Sequence, residues 1–213
     1  MAIRYPNGKK YTPAVSANKK KTHDYSFSNR GKSLEDELND TNEYYLAHRL
    51  AVIHKKPVPI QIVNVRYPAR SAAVITEAYF RTPSTTDYNG VWNGYYMDFE
   101  AKETKNKTSL PLQNIHLHQV EHMKQVIDQS GLAFFIVNFS SLGRYFLLPF
   151  DVFLPLWNRM EDGGRKSITL DEIEECSIEI ETGYQPRLDY LQAVQQWIQQ
   201  KRLDLDSERQ EEI

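Results

Sequence analysis

Two apolar runs constrain this chain most. Leu132–Phe139 is followed, after Ser140–Gly143, by Arg144–Phe150. Such runs of β-branched, aromatic and leucine residues, bounded by turn residues, read as two strands buried in a sheet. They are too short to cross a bilayer. The rest of the chain has to supply the layers that cover them.

The neighbouring segments fit that demand. Ser33 is a good N-cap, and Glu35, Asp36 and Glu37 fall in the first turn that it opens. Leu34, Leu38, Tyr45, Leu46, Leu50 and Ile53 then carry a predicted helix to about His54. Ile60–Val65 and Ala72–Phe80 read as strands around the basic turn Arg66–Arg70. Asn89-Gly90 and Asn93-Gly94 each read as a turn between strand-like flanks. Residues 112–129 are predicted helical, with Ile115, Val120, Met123 and Ile127 as the apolar stripe and Gly131 as the stop. Asp151–Met160 reads as a short helix and residues 161–186 as an acidic, loop-rich stretch. Leu188, Leu191, Val194, Trp197 and Ile198 mark a last amphipathic helix. Helix, strands, helix, strands, helix is the order of a mixed α/β or α+β layer structure, not of a doubly wound parallel sheet. Neither GxGxxG nor GxxxxGK[ST] occurs, so no dinucleotide or P-loop site is expected.

Charge is distributed unevenly. The formal net charge is −2, yet residues 1–32 carry eight Lys or Arg against Asp24 alone, while residues 161–213 carry 14 acids against six basic residues. The basic N-terminus has no hydrophobic period and contains Lys19, Lys20, Lys21 and Arg30, as expected of a flexible arm that binds a polyanion. A solvated tail that aids solubility is the plainer reading. The expected organisation is an arm over residues 1–30, one domain over 31–200 and an acidic C-terminal tail over 201–213. Cys176 is the sole cysteine and the N-terminus lacks an apolar signal core, so a cytoplasmic protein is expected.

The chemistry lies between Thr85 and Lys102. In a strand, alternate side chains share a face, which puts Asp98, Glu100 and Lys102 together and leaves Met97, Phe99 and Ala101 for the core. A hairpin return brings Asp87 beside this strand, with Thr85 on the same face. Clustered carboxylates repel unless a cation lies between them. Oxygen donors without thiolate select Mg²⁺ or Mn²⁺, a choice suited to phosphate-ester chemistry. A lysine two residues past a ligand can orient water or offset charge on phosphate. An ordinary solvated Glu–Lys strand face has the same sequence. A competing motif is His118-Gln119-Val120-Glu121-His122, the H-x-x-E-H pattern of inverted zinc peptidases, with His118 and His122 at i and i+4.

Longer stretches carry a more specific signal. Ile3–Lys9, Ser28–Gly31, Leu34–Asn39, Ala51–Lys56, Gln61–Val65, Arg70–Val74, Thr85–Gly90, Asp98–Lys107 and His118–Gln125 resemble the RecU family of bacterial Holliday junction resolvases, a likeness that reaches to about Leu191. The resemblance implies a restriction-endonuclease-like fold, a PD-(D/E)xK-type site and a Mg²⁺-dependent homodimer acting on four-way junction DNA. It makes Thr85, Asp87, Glu100 and Gln119 the metal-binding positions and Lys102 the catalytic lysine. Thr86 stands where the proline of the PD signature would be. Glu35, four residues after Gly31, falls where related resolvases place a glutamate near the metal. The resemblance also implies a protruding β stalk over about residues 57–80, with Arg66 and Arg70 at its tip facing the junction, and a part in modulating the RecA recombinase. A junction-binding protein that does not cut is the other reading of the same features.

Overall fold

The computed structural model describes residues 32–69, 72–81 and 85–211, with side chains as far as Leu203. The expected arm with Lys19, Lys20, Lys21 and Arg30, and Arg70 of the basic turn, lie outside the described residues.

Helix α1 spans Leu34–Ala47. Ser33 accepts from the Asp36 N–H while Asp36 reaches back to Ser33, the reciprocal cap that its sequence predicts. The helix stops earlier than its apolar pattern suggests. Arg49 turns into the left-handed region at φ 57°, and the Leu50 N–H closes on the Tyr45 carbonyl. Ile53 is buried as part of strand β1, Val52–Lys55. Strands β2 (Ile60–Ala69) and β3 (Ala72–Phe80) follow, then β4 (Tyr88–Trp92), β5 (Tyr95–Thr104) and β6 (Ser109–Pro111). After them come α2 (Leu117–Asp128), β7 (Leu132–Phe139), β8 (Arg144–Pro149) and α3 (Phe150–Glu161). The chain ends with β9 (Ser167–Thr169), α4 (Leu170–Cys176), β10 (Ile178–Ile180) and α5 (Tyr190–Glu211).

Six strands form the main sheet in the order β1-β4-β5-β7-β8-β10. Only β5 and β7 are parallel; every other neighbouring pair is antiparallel. The mixed sheet flanked by helices is the expected α+β class. Alternation along β7 explains why its whole run is apolar. Phe134 and Ile136 pack with Leu38, Tyr45, Tyr190 and Val194 from α1 and α5. Ala133, Phe135 and Val137 pack on the opposite face with Met123, Phe153 and Ile173 from α2, α3 and α4.

Two expectations from turn residues and composition need correction. Asn89-Gly90 lies inside β4, not at a turn. Gly90 is required there by close approach: a Cβ would stand 2.2 Å from the Val52 carbonyl oxygen and 2.6 Å from Ile53 Cα on β1. Asn93-Gly94 is the turn, with φ 48° and 84°, the two positive values that a tight hairpin requires. The acidic stretch 161–186 holds β9, α4 and β10. Its polar composition conceals Ile168, Ile173 and Ile180, which are all buried, and a reciprocal cap between Thr169 and Glu172 that starts α4.

Strands β2 and β3 pair only with each other, from Ile60↔Phe80 to Ala69↔Ala72. Every described residue of the ribbon except the half-buried Val65 is exposed. Tyr67 and Phe80 are 71% and 83% accessible. This excursion is not part of the main sheet, so its apolar side chains do not serve the core.

Candidate active site

The site is set by the pairing of β4 with β5. Tyr88 lies opposite Phe99, and both rings are fully buried. They stack at 5.0 Å, and Phe99 stacks in turn on Phe134 at 4.9 Å. This aromatic ladder crosses three strands and fixes the register between them. The residue before Tyr88 therefore meets the residue after Phe99: the Asp87 N–H donates to Glu100 Oε2 at 3.0 Å. The Ala101 N–H donates to Asp87 Oδ2 at 3.3 Å. Strand alternation behaves as expected, since Met97 and Phe99 enter the core while Glu100 and Lys102 share the other face.

Glu100 is 2% exposed and carries the most perturbed carboxyl of this group. Burial pushes its pKa up to about 7; Asp87 adds to the rise, while Lys102 and Gln119 oppose it. Lys102 Nζ lies 2.8 Å from Glu100 Oε1. Gln119 donates its amide NH₂ to the same oxygen at 2.6 Å, and its amide oxygen accepts the His116 N–H at 3.0 Å as part of the α2 cap. Gln119 thus stands against Glu100, as expected, but turns its nitrogen rather than its oxygen toward it. Thr85 is half-buried just before the pair, and its hydroxyl donates to the Thr86 carbonyl at 3.5 Å.

Asp98, two residues before Glu100, is fully buried in a separate cluster. Its Oδ2 takes hydrogen bonds from Lys56 Nζ at 2.7 Å and Tyr96 OH at 2.8 Å, and Oδ1 from the Thr86 hydroxyl. His122 Nε2 lies 3.2 Å from Oδ2. Sequence reasoning passed over Lys56 and Tyr96. The alternation that grouped residues 98, 100 and 102 also reaches Tyr96, but no local pattern ties Lys56 to a strand so distant in sequence.

Other candidates are placed elsewhere. Glu35 forms an exposed ion pair with Lys55. Arg66 is exposed on β2 opposite Val74. The competing zinc set does not assemble. His122 turns to Asp98, His118 stacks on His116 at 5.5 Å, and Glu121 is exposed. Among the described residues no three His, Cys, Asp or Glu side chains gather as metal ligands.

The donors that do converge are two carboxylates, with a hydroxyl and an amide nearby. All offer oxygen, the donor type that hard divalent cations take. The charge that disfavours ionised Glu100 beside Asp87 is what a cation would offset. Asp87 and Glu100 supply the oxygen charge such an ion takes; Thr85 and Gln119 would join them once the hydroxyl leaves the Thr86 carbonyl and the amide turns.

A carboxylate pair backed by a lysine, beside the strands of a mixed sheet, is a set of groups suited to phosphodiester hydrolysis. The comparisons narrow that class. Residues 29–196 match the Recombination protein U family, and the chain belongs to it. Among its relatives, the "Holliday junction resolvase RecU" of Bacillus mycoides is 59% identical over 194 residues, covering 91% of this chain and 97% of that one. The protein of the same description from Bacillus cereus strain B4264 is 58% identical with the same coverage. That from Bacillus cytotoxicus is 59% identical, covering 90% and 96%. Among solved structures, the Holliday junction resolvase Hjc of Archaeoglobus fulgidus aligns with a TM-score of 0.39 and 10% identity, over 67% of this chain and 94% of that one.

Proposed function

We propose that this chain is an endonuclease that resolves Holliday junctions by hydrolysing phosphodiester bonds. The observation that carries the reading is the meeting of Asp87 and Glu100, with Lys102 on the same oxygen as Gln119, in a chain so similar to junction resolvases over nine-tenths of its length. A binder that never cuts has no use for a buried Glu100 whose ionisation beside Asp87 costs folding energy.

Asp87 and Glu100 would hold Mg²⁺, for which Mn²⁺ can substitute, with Thr85 and Gln119 as neutral oxygen donors. Such an ion supplies Lewis acidity toward a phosphate oxygen and makes water more acidic. Lys102 keeps its ammonium within reach of Glu100 and of the face where a phosphate would lie, and there it offsets charge that builds on the phosphate oxygens. The Asp87 carboxylate is steadied by the Ala101 N–H. The expected products carry a 5′-phosphate and a 3′-hydroxyl.

A four-way junction has near two-fold symmetry, so a homodimer presenting one site per opposed strand suits it. The exposed β2–β3 ribbon acts as the stalk, with Arg66 and Arg70 as its contacts to the junction, and the basic arm with Lys19, Lys20, Lys21 and Arg30 takes duplex phosphates. The RecA recombinase is a further partner, and the cytoplasm the compartment, on the same reading. No helix among the described residues is long and apolar enough to cross a membrane.

The test is incubation of a labelled four-way junction and a linear duplex of matched sequence, each with Mg²⁺ or a chelator. Symmetric nicking of the junction with Mg²⁺ only, abolished in Glu100→Gln while junction binding persists, is the expected result. Equal cutting of the linear duplex, or cutting by the Gln variant, would overturn the assignment.

A further inference from the structure

Asp98 is the one fully buried carboxylate of the candidate site that the chemistry above leaves unused. A buried ionised group is costly unless it is paired and hydrogen-bonded, and the partners of Asp98 are informative. Two of them bear on the segment that carries Asp87. The Thr86 hydroxyl donates directly to Oδ1, and Thr86 is 3% exposed. Lys56, at the end of β1, bridges the same parts. Its ammonium bonds both Asp98 Oδ2 at 2.7 Å and the Thr86 hydroxyl at 3.0 Å, while its backbone N–H donates to the Asp87 carbonyl at 2.7 Å. Tyr96 and His122 approach Asp98 from the other side; no hydrogen bond of theirs to Thr85, Thr86 or Asp87 is present.

Thr85–Asp87 enters β4 without a strand partner of its own. On the Glu100 side it is held by the Asp87 N–H on Glu100 and by the Asp87 carboxylate on the Ala101 N–H. Both use a carboxylate oxygen that a bound cation would recruit. Asp98, through Thr86 and Lys56, supplies an anchor that uses none of the donor oxygens.

We propose that Asp98 is a positioning residue: by clamping Thr86 and Lys56 it sets Asp87 against Glu100 and so determines how tightly the acidic pair holds its divalent cation. The inference rests on the reading that Asp87 and Glu100 bind that cation. It gives Lys56 a role within the protein. It also assigns a purpose to Thr86, whose hydroxyl reaches Asp98 in a way that a proline at that position could not.

Three variants separate this role from plain stability. Asp98→Asn keeps the shape and removes the charge that pairs with Lys56. Thr86→Val keeps the volume and removes the hydroxyl that bonds Asp98 and Lys56, while the Lys56–Asp98 ion pair stays. Tyr96→Phe removes a donor to Asp98 that does not touch the Asp87 segment. Mn²⁺ binding is measured by titration calorimetry without DNA, and junction cleavage is measured against Mg²⁺ concentration. Asp98→Asn is expected to weaken Mn²⁺ binding by roughly 10–100-fold, the usual consequence of losing a group that orients metal ligands. Cleavage should return to near the wild-type maximum at saturating Mg²⁺, and junction binding in chelator should be unchanged. Thr86→Val should shift Mn²⁺ affinity in the same direction by less, and it carries the test if Asp98→Asn does not fold. Tyr96→Phe should leave the affinity in place.

Wild-type affinity in both Asp98→Asn and Thr86→Val would overturn the positioning role. So would a lost maximal rate with Mn²⁺ affinity intact, or a Tyr96→Phe effect as large as that of Asp98→Asn. A wild-type protein that bound no Mn²⁺ and cut no junction would instead refute the underlying assignment of Asp87 and Glu100.

Discussion

Replacing Glu100 by Gln is expected to raise the melting temperature of the metal-free protein at pH 8 and to change it little at pH 5. Burial is the largest reason that the Glu100 carboxyl titrates at about 7 rather than at its ordinary 4.5. The side chain is almost wholly out of water, so solvent screening does not dilute the effect. Between those two pH values the folded chain holds a proton that the unfolded chain has released. Stability from this group is therefore complete below about 4.5, declines as pH rises, and is gone above about 7. The rise corresponds to about 3 kcal/mol at 1.36 kcal/mol per pH unit. Gln removes that penalty but leaves Lys102 without its carboxylate, so about 3 kcal/mol is a ceiling. For a domain of this size each kcal/mol moves the melting temperature by roughly 2–4 °C, which gives a gain of at most roughly 6–12 °C at pH 8. Scanning calorimetry of both proteins in chelator, from pH 5 to pH 8, measures it. Mg²⁺ added at pH 8 should raise the wild-type melting temperature, because a cation then does what the proton does at low pH, and should raise that of the variant less. A Gln variant less stable than wild type at pH 8, or an offset that does not vary with pH, would refute the claim that ionised Glu100 is strained by burial beside Asp87.

Lys102→Ala should slow junction cleavage by ~10²-fold or more while junction binding holds, as for the loss of one contact to developing charge; single-turnover kinetics reads it. Gln119→Ala should impair cleavage, whereas His118→Ala should leave it within a small factor, and zinc bound stoichiometrically through the histidines would contradict this. Gly90→Ala drives a methyl into the Val52 carbonyl and should cost about 1–3 kcal/mol, seen as a lower urea midpoint with an unchanged slope. Arg66→Ala with Arg70→Ala should weaken junction binding more than duplex binding in competition assays at one fixed salt concentration, and Arg66, an exposed ribbon charge, adds little to folding.

The sequence by itself determined the local parts whose causes are local. The caps at Ser33 and Thr169 start their helices wherever the chain goes, although the second sits in a stretch whose acidic composition reads as loop. The apolar runs of β7 and β8 demand burial, and alternation alone put Glu100 and Lys102 on one face of β5. Asp87 was brought to them by an inferred hairpin return, and the turn that makes it is Asn93-Gly94. The other Asn-Gly pair was misleading because glycine serves two needs, positive φ and close approach, and only the packing of β1 on β4 shows which applies at Gly90. The end of α1 was illegible for a similar reason: the spacing of Leu50 and Ile53 suits a helix, but Ile53 gains more from burial as part of the sheet edge. Tertiary structure alone decided the electrostatics. Burial of Glu100 beside Asp87, the clamp of Asp98 on Thr86 through Lys56, and the rotation of Gln119 onto Glu100 join residues that are 12 to 42 positions apart. No periodicity encodes such contacts, because each depends on how strands from separate parts of the chain come to lie side by side.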